Sequence, residues 1–169
     1  MNIAEHCVRT WFFVFFFDRN YGGVVVGRRE NFLLNGLTPD THYIASTGIE
    51  GKHEDHNVLS LFDAYAVKGI PSDKRQILYA AQNMNKTIEY GVTFERGVCI
   101  HHSAGYKQVY ISGTASIDTK GAVLHVGDVK GQVKRMTENV NALLEEAGCK
   151  WDDISQATVY LRDIADYEC

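Results

Sequence analysis

The segment Phe94-Glu95-Arg96 brings together an aromatic ring, a carboxyl group and a guanidinium group. A guanidinium binds a carboxylate through two parallel hydrogen bonds, and Gly91 and Gly97 leave space for a ligand beside it. We therefore predict that Arg96 binds the carboxylate of a small molecule. The alternative is a surface arginine that forms an ion pair with a neighbouring glutamate.

Glu95 is the candidate for proton transfer in this segment. A glutamate acts as a general acid or base when burial or neighbouring charges shift its pKa. An isolated glutamate is more often solvated, and the sequence leaves both possibilities open. The catalytic residues are otherwise unknown from the sequence.

A second group of polar residues, Ser112, Gly113 and Thr114, follows a short predicted strand. A glycine permits close backbone approach, and the two hydroxyls offer hydrogen bonds to a ligand. The same residues are also typical of a strand end whose hydroxyls satisfy nearby backbone groups. The local sequence holds no histidine–aspartate pair, so Ser112 is not predicted to be a nucleophile.

The histidines do not predict a metal site. His53 and His56 lie in a polar loop, and the adjacent residues His101 and His102 point to opposite faces of a strand. We predict no metal and no other cofactor.

The composition favours a protein without nucleic-acid or membrane partners. The chain of 169 residues has a formal net charge of -4, which gives no general attraction for phosphate backbones. The longest apolar run, residues 11–17, is too short to span a bilayer. The cysteines lack metal-ligand spacing and are expected to be reduced thiols in a cytoplasmic protein; they are Cys7, Cys99, Cys149 and Cys169.

The pattern of apolar residues predicts strands at residues 9–17, 42–47, 76–81, 98–101, 108–111 and 157–161. Residues 48–51 are predicted to turn, and residues 58–67 are ambiguous between strand and helix. A helix capped by Asp18 or Asn20 is predicted to end at Asn35-Gly36. The strands at 98–101 and 108–111 are predicted to form a hairpin.

The clearest element is an amphipathic helix that begins after Asp128 and ends before Gly148. Its apolar positions are spaced by three or four residues, which places them on one face. Together the elements predict an α+β fold in which helices cover one face of a mixed sheet.

Five segments in a fixed order resemble the Rid superfamily, which is also called YjgF-like or endoribonuclease L-PSP-like. They are residues 90–97, 109–118, 127–129, 132–139 and 159–163, and the resemblance covers roughly residues 88–168. Three of these segments are most similar in sequence to the branch that contains the chorismatases: Phe-Glu-Arg-Gly, Ser-Gly-Thr-Ala-Ser-Ile-Asp and Tyr-Leu-Arg-Asp. Residues 43–51 are similar to the leading domain of that branch.

The resemblance implies a chorismate-mutase-like fold, a homotrimer or pseudo-trimer, and ligand sites in clefts between neighbouring units. It implies that Ser112, Gly113 and Thr114 contact ligand and that Phe94 lines a pocket wall where many members have tyrosine. The arginine and glutamate of the imine deaminases come from strands beyond the last residue of this chain. We therefore expect a partial Rid-like unit at residues 1–85 and a Rid unit truncated at its C-terminus at residues 86–169.

The implied function is a chorismatase-like protein that binds or cleaves a small carboxylate metabolite such as chorismate. One alternative is a deaminase that hydrolyses 2-imino acids, and another is a module that binds a metabolite or partner without catalysis. RNA cleavage, which the family's older label suggests, is disfavoured by the acidic balance of the chain.

Overall fold

The computed structural model of the chain describes residues 3–168 and has the predicted α+β class. Its first sheet is mixed and consists of β1 (Cys7–Val14), β2 (Ala45–Glu50) and β3 (Ser60–Ala66). The strand β1 lies in the middle, parallel to β2 and antiparallel to β3. Residues 11–14 of the longest apolar run lie in this central strand, whereas Phe17 begins the next helix.

A short helix α1 (Ile3–His6) precedes β1, and the helix α2 (Phe17–Leu34) follows it. Phe32 of α2 packs against Cys7 of β1, and Leu37, Tyr43 and Ile44 complete that cluster. In a second buried cluster, Val8 and Ala45 pack against Val98 and Ile100. Apolar side chains of the first sheet therefore enter two separate buried clusters.

The second sheet is antiparallel and has the order β4 (Arg75–Leu78), β5 (Gly97–His101) and β6 (Lys107–Ile111). The predicted hairpin of β5 and β6 is confirmed. Two contacts join β2 to the segments that flank this sheet: a parallel bridge between Ala45 and Glu95, and a 3.2 Å hydrogen bond from Gly113 N to Ser46 O.

The chain forms two compact units. The first comprises residues 1–79 and 86–113, and the second comprises residues 80–85 and 114–169. The sequence analysis placed a boundary between two Rid-like units at residue 85. The compact units follow other bounds and do not test that boundary, which stays a prediction.

The second unit contains the predicted amphipathic helix, α3 (Val129–Glu146). The side chain of Asp128 accepts a hydrogen bond from Gly131 N, and Gly148 follows the helix with a φ of 63°, so both predicted ends are confirmed. Leu143 and Ala142 are buried on the apolar face. Short 3-10 helices occur at Ser72–Lys74, Thr87–Tyr90, Trp151–Asp153 and Ile164–Glu168.

Several predictions of local structure were wrong. The strand predicted at residues 9–17 ends at Val14, and the strand predicted at residues 42–47 begins at Ala45. The helix α2 begins at Phe17, after Phe16 in a left-handed conformation, and neither Asp18 nor Asn20 is its N-cap. The strand β2 continues to Glu50, so residues 48–51 do not turn, because pairing with β1 carries them through. The strand β4 ends at Leu78. Residues 157–161 are irregular, because a strand needs a hydrogen-bonded neighbour and the described residues pair none with them.

Within the described residues, no helix combines the length and apolar character needed to cross a bilayer. The ambiguous residues 58–67 contain the strand β3. Cys7, Cys99 and Cys149 are free thiols, and Cys169 lies outside the described residues.

Glycines weaken the first half of α2. Gly22 and Gly23 have open space where a Cβ would be, so nothing in the packing requires glycine there. We expect that Gly22→Ala and Gly23→Ala each raise the free energy of unfolding by about 0.5–1 kcal/mol, since alanine loses less backbone entropy in a helix. Gly36→Ala is the matched contrast: it also meets open space, but its φ of 74° should make the change destabilising by about 1 kcal/mol. Urea unfolding of the three variants checks the signs, and a gain at Gly36 would contradict the argument.

Asn139 is a buried polar anchor in the second unit. It is 0% exposed, and its Nδ2 donates to Ala115 O at 3.0 Å and to Ile117 O at 3.2 Å. We expect Asn139→Ala to lower the free energy of unfolding by about 1–2 kcal/mol, because two buried hydrogen bonds are lost while Ile117 N and Arg135 Nε still donate to the same carbonyls. Lys134→Ala, on an exposed position of the same helix, should change it by less than about 0.5 kcal/mol. Equal effects of the two substitutions would refute the anchoring role.

Candidate functional site

The first compact unit buries more positive than negative charge. Among the described residues, the buried charged side chains are Arg9, Arg28, Glu95 and Arg96, all in this unit. Burying a charge is costly unless it is paired or hydrogen-bonded. The contacts of each of these four groups therefore decide what the site can do.

Phe94 is the meeting point of two of these arginines. The guanidinium carbon of Arg96 lies 5.7 Å from the centre of the Phe94 ring, and that of Arg28 lies 5.8 Å from the same centre. Both distances are within the range of cation–π attraction. The structure thus brings the predicted residues Phe94 and Arg96 together and adds Arg28, which the sequence analysis missed.

Arg28 projects from α2 and makes its polar contacts with hydroxyl groups. Its Nε donates to Thr93 Oγ1 at 3.2 Å, and its Nη1 donates to Ser46 Oγ at 3.4 Å. Its Nη2 is buried and has no hydrogen-bond partner. Burial lowers the pKa of Arg28, and the Tyr21 hydroxyl opposes that shift. The Phe12 ring, 5.5 Å from the guanidinium carbon, completes an aromatic and hydroxylic surrounding.

Arg9 occupies the opposite face of the first sheet. Its Nη2 donates to Thr47 Oγ1 and its Nη1 donates to Thr10 O at 2.9 Å. Its guanidinium carbon lies 4.7 Å from the Trp11 ring. Thr47 follows Ser46 in β2, and adjacent strand residues point to opposite faces. Arg9 and Arg28 are therefore separated by the sheet and do not share one ligand.

Glu95 is buried, and its Oε1 accepts a hydrogen bond from Tyr43 N at 2.8 Å. Burial raises the pKa of this carboxyl above its ordinary value, while the hydrogen bond from Tyr43 and the charge of Lys86 oppose the rise. Glu95 and Arg96 are both buried, so the sequence alternative of an exposed ion pair does not describe them. The carboxyl keeps its proton to a higher pH than a solvated glutamate does.

Ser112 is also buried, and its hydroxyl forms two hydrogen bonds to the backbone of other segments. Its Oγ donates to Glu95 O and accepts from Ser46 N at 2.9 Å. These bonds join β2 to the chain that enters β5. Ligand contact by Ser112 stays a prediction, since its hydroxyl proton is already donated to a carbonyl.

Gly113 is exposed, but the position that a side chain would occupy there is crowded. A Cβ at this position would lie 3.1 Å from Thr47 Cγ2, so a larger residue would push against β2. Thr114 is half-buried and begins the second compact unit. Their predicted contacts with ligand likewise stay predictions.

A pocket of about 420 Å³ opens in the first unit. Its walls are mostly apolar and include Leu33, Tyr43 and Ile88, with Arg29 and Thr93 as polar members. A pocket of about 530 Å³ in the second unit is lined by polar residues such as Arg135 and Glu138. Those two residues form an ion pair of 3.4 Å, and Glu145, a further lining residue, accepts a hydrogen bond from Asn141 at 2.7 Å.

The described residues bring together no group of three or more histidine, cysteine or acidic side chains that could hold a metal ion. The histidines therefore give no metal candidate. The chemistry of the first unit rests on guanidinium groups, hydroxyls and one buried carboxyl.

Comparison with known proteins identifies part of the chain. Residues 99–169 match the family described as endoribonuclease L-PSP. A RutC family protein of Pyrococcus abyssi is 41% identical over 59 residues, which are 35% of this chain and 46% of the relative. A RutC family protein of Pyrococcus horikoshii is 39% identical over 59 residues, which are 35% of this chain and 47% of that relative. The chain thus spans less than half the length of these relatives, and no solved structure gave a significant match.

Glu95 predicts a specific dependence of stability on pH. Its pKa is raised in the folded state, so the folded protein binds more protons than the unfolded chain above the ordinary glutamate value of 4.5. The contribution of Glu95 to stability is fully present below that value and is lost as the pH rises through the raised pKa. Glu95→Gln keeps an oxygen for Tyr43 N and should remove this loss.

The measurement is the free energy of unfolding of wild type and Glu95→Gln between pH 4 and pH 8. We expect the free energy of unfolding of Glu95→Gln to increase relative to that of the wild type as the pH rises. Glu89→Gln, an exposed neighbour, serves as the control and should run parallel to the wild type. Parallel curves for Glu95→Gln and wild type would show that Glu95 is not held protonated by burial.

Proposed function

We propose that the protein binds and cleaves a small carboxylate metabolite in a chorismatase-like way, and the similarity of residues 99–169 to the endoribonuclease L-PSP family supports this proposal. The reaction is the hydrolysis of an enol ether such as that of chorismate. Water is added, the ether C–O bond breaks, and pyruvate and a cyclohexadiene acid are released.

The observation that carries this proposal is the excess of buried guanidinium groups over buried carboxyl groups. Arg28 and Arg96 both lie against Phe94, and each is at least nine-tenths buried. A carboxylate is the group whose charge and planar oxygens match a guanidinium. An apolar ring beside the guanidinium suits a substrate that carries a carboxylate on a cyclic body.

Glu95 supports the catalytic part of the proposal. Enol ether hydrolysis begins with proton transfer to carbon, which requires an acid that keeps its proton near neutral pH. The raised pKa of Glu95 moves it in that direction. Glu95 would supply the proton, and the arginines would hold the carboxylate.

One observation favours a second function, binding without catalysis. Glu95 accepts from Tyr43 N, and Ser112 is bonded to Glu95 O and Ser46 N, so both predicted site residues take part in holding the backbone. In that case the arginines bind a metabolite and no described group turns it over. Imine hydrolysis is a third outcome, because 2-imino acids carry the same carboxylate.

The test is turnover by the intact chain with two substrates. We expect pyruvate release from chorismate, and we expect Arg96→Met to lower kcat/KM by about 30- to 100-fold, since a charge-assisted pair of hydrogen bonds is lost. Arg162→Met, at an exposed position, should leave turnover unchanged. Ammonia release from a 2-imino acid without pyruvate release would favour the deaminase.

A rise in melting temperature with chorismate but no product would favour binding alone. The absence of product and of any thermal shift with either substrate would refute the proposed function.

A further inference from the structure

We propose that Arg28 and the pocket beside Thr93 form a carboxylate-binding site for a small molecule with an apolar body. This inference deepens the proposed function by naming a residue and a pocket that hold the carboxylate. It depends only on residues of the first compact unit, which comprises residues 1–79 and 86–113.

The first argument is the incomplete hydrogen bonding of Arg28. Arg28 is 6% exposed, its Nε and Nη1 donate to the hydroxyls of Thr93 and Ser46, and its buried Nη2 has no partner within hydrogen-bond distance. The nitrogens Nε and Nη2 form one edge of the fork that binds a carboxylate through two parallel bonds. On that edge only the Thr93 hydroxyl is bound, at 3.2 Å, so half of the fork is unused.

The second argument concerns charge. The group that opposes the effect of burial on the pKa of Arg28 is the side chain of Tyr21, which acts partly as a hydrogen-bonding group and is not a carboxylate. Glu95, the buried carboxyl of the same unit, is engaged by Tyr43 N and has its pKa raised by burial. Glu95 is therefore not the counter-ion that keeps Arg28 buried at low cost, and a ligand carboxylate fits that role.

The third argument is the adjoining pocket. Thr93, whose hydroxyl holds Arg28 Nε, is also a lining residue of the pocket of about 420 Å³. This volume is within the range of small-molecule sites. Leu33, Leu37, Tyr43 and Ile88 supply an apolar surface, and Arg29 adds a second guanidinium that donates to Gly91 O. A ligand in this pocket would place its body on the apolar wall and its carboxylate towards Thr93.

The fourth argument is access. Arg28 lies on α2, and Gly22, Gly23 and Gly27 precede it with open space at each Cβ position. These three glycines lower the stability of residues 22–27 of α2 as a helix by roughly 2–3 kcal/mol relative to alanine. Local opening of a weak helix costs much less than global unfolding. The carboxylate can therefore reach Nη2 by a small displacement of α2.

The test uses benzoate as the probe and benzamide as its neutral analogue of similar shape. We expect benzoate to raise the melting temperature of the intact chain saturably and to shift the Nε–H resonance of Arg28 in its NMR spectrum. Benzamide should do neither. Thr93→Val, which removes the hydroxyl between the pocket and Arg28, should weaken benzoate binding several-fold.

The decisive variant is Arg28→Met, with Arg19→Met as the matched control on an exposed position of the same helix. We expect Arg28→Met to weaken benzoate binding by at least about tenfold and to melt no lower than the wild type, because an uncompensated buried charge is removed. Arg19→Met should bind benzoate normally. If Arg28→Met does not fold, the shift of the Arg28 resonance in the wild type still decides the question.

Three results would overturn the inference: equal binding of benzamide, unchanged benzoate binding by Arg28→Met, or an Arg28 resonance that benzoate does not move. The two proposals can fail separately. Turnover of chorismate with normal benzoate binding by Arg28→Met would refute the Arg28 site and leave the proposed function intact. Benzoate binding that requires Arg28, in a chain that neither turns over nor binds chorismate or a 2-imino acid, would support the Arg28 site and refute the proposed function.

Discussion

Ser46 is the residue through which the first compact unit is held together. Its backbone N donates to Ser112 Oγ, its carbonyl accepts from Gly113 N, and its hydroxyl accepts from Thr10 Oγ1 at 2.9 Å and from Arg28 Nη1. The side chain of Ser46 therefore links β2 to β1 and α2, and its backbone links β2 to the segment after β6. Buried polar networks are stable only when their members are satisfied, and in this network the unsatisfied atom belongs to Arg28.

That single unsatisfied nitrogen connects stability with function. A protein selected for stability alone would replace Arg28 with an apolar side chain, since α2 already packs Phe32 into the core. A buried guanidinium on a glycine-rich helix lowers stability in two ways, through desolvation of the charge and through the low helix propensity of glycine. Such costs are typical of sites that a ligand completes.

Sequence patterns predicted the elements whose stabilising groups are local. The helix α3 was predictable because its apolar stripe, its Asp128 cap and its terminal Gly148 all lie within a few residues of one another. The hairpin of β5 and β6 was predictable for the same reason. The start of α2 was not, because Phe16 enters a left-handed conformation that no local signal favours.

The residues of the candidate site were likewise predictable only where their contacts are local in sequence. Phe94 and Arg96 are two residues apart, and their contact could be expected from the local sequence. Arg28 could not, because its partners Ser46 and Thr93 come from distant parts of the chain and α2 lacks an apolar stripe that would show which face is buried. A buried arginine on a helix without amphipathic pattern is visible only after the strands have paired.

The family match and the candidate chemistry lie in different parts of this chain. The family match begins at residue 99, whereas the buried charged residues Arg9, Arg28, Glu95 and Arg96 all precede it. The matched segment supplies β6 and α3, which are elements of the fold. The family match does not include β1, α2 or the residues that lead into β5, which position the buried arginines. It therefore gives no specific information about these guanidinium groups. The activity therefore has to be argued from, and tested at, the residues before the matched segment.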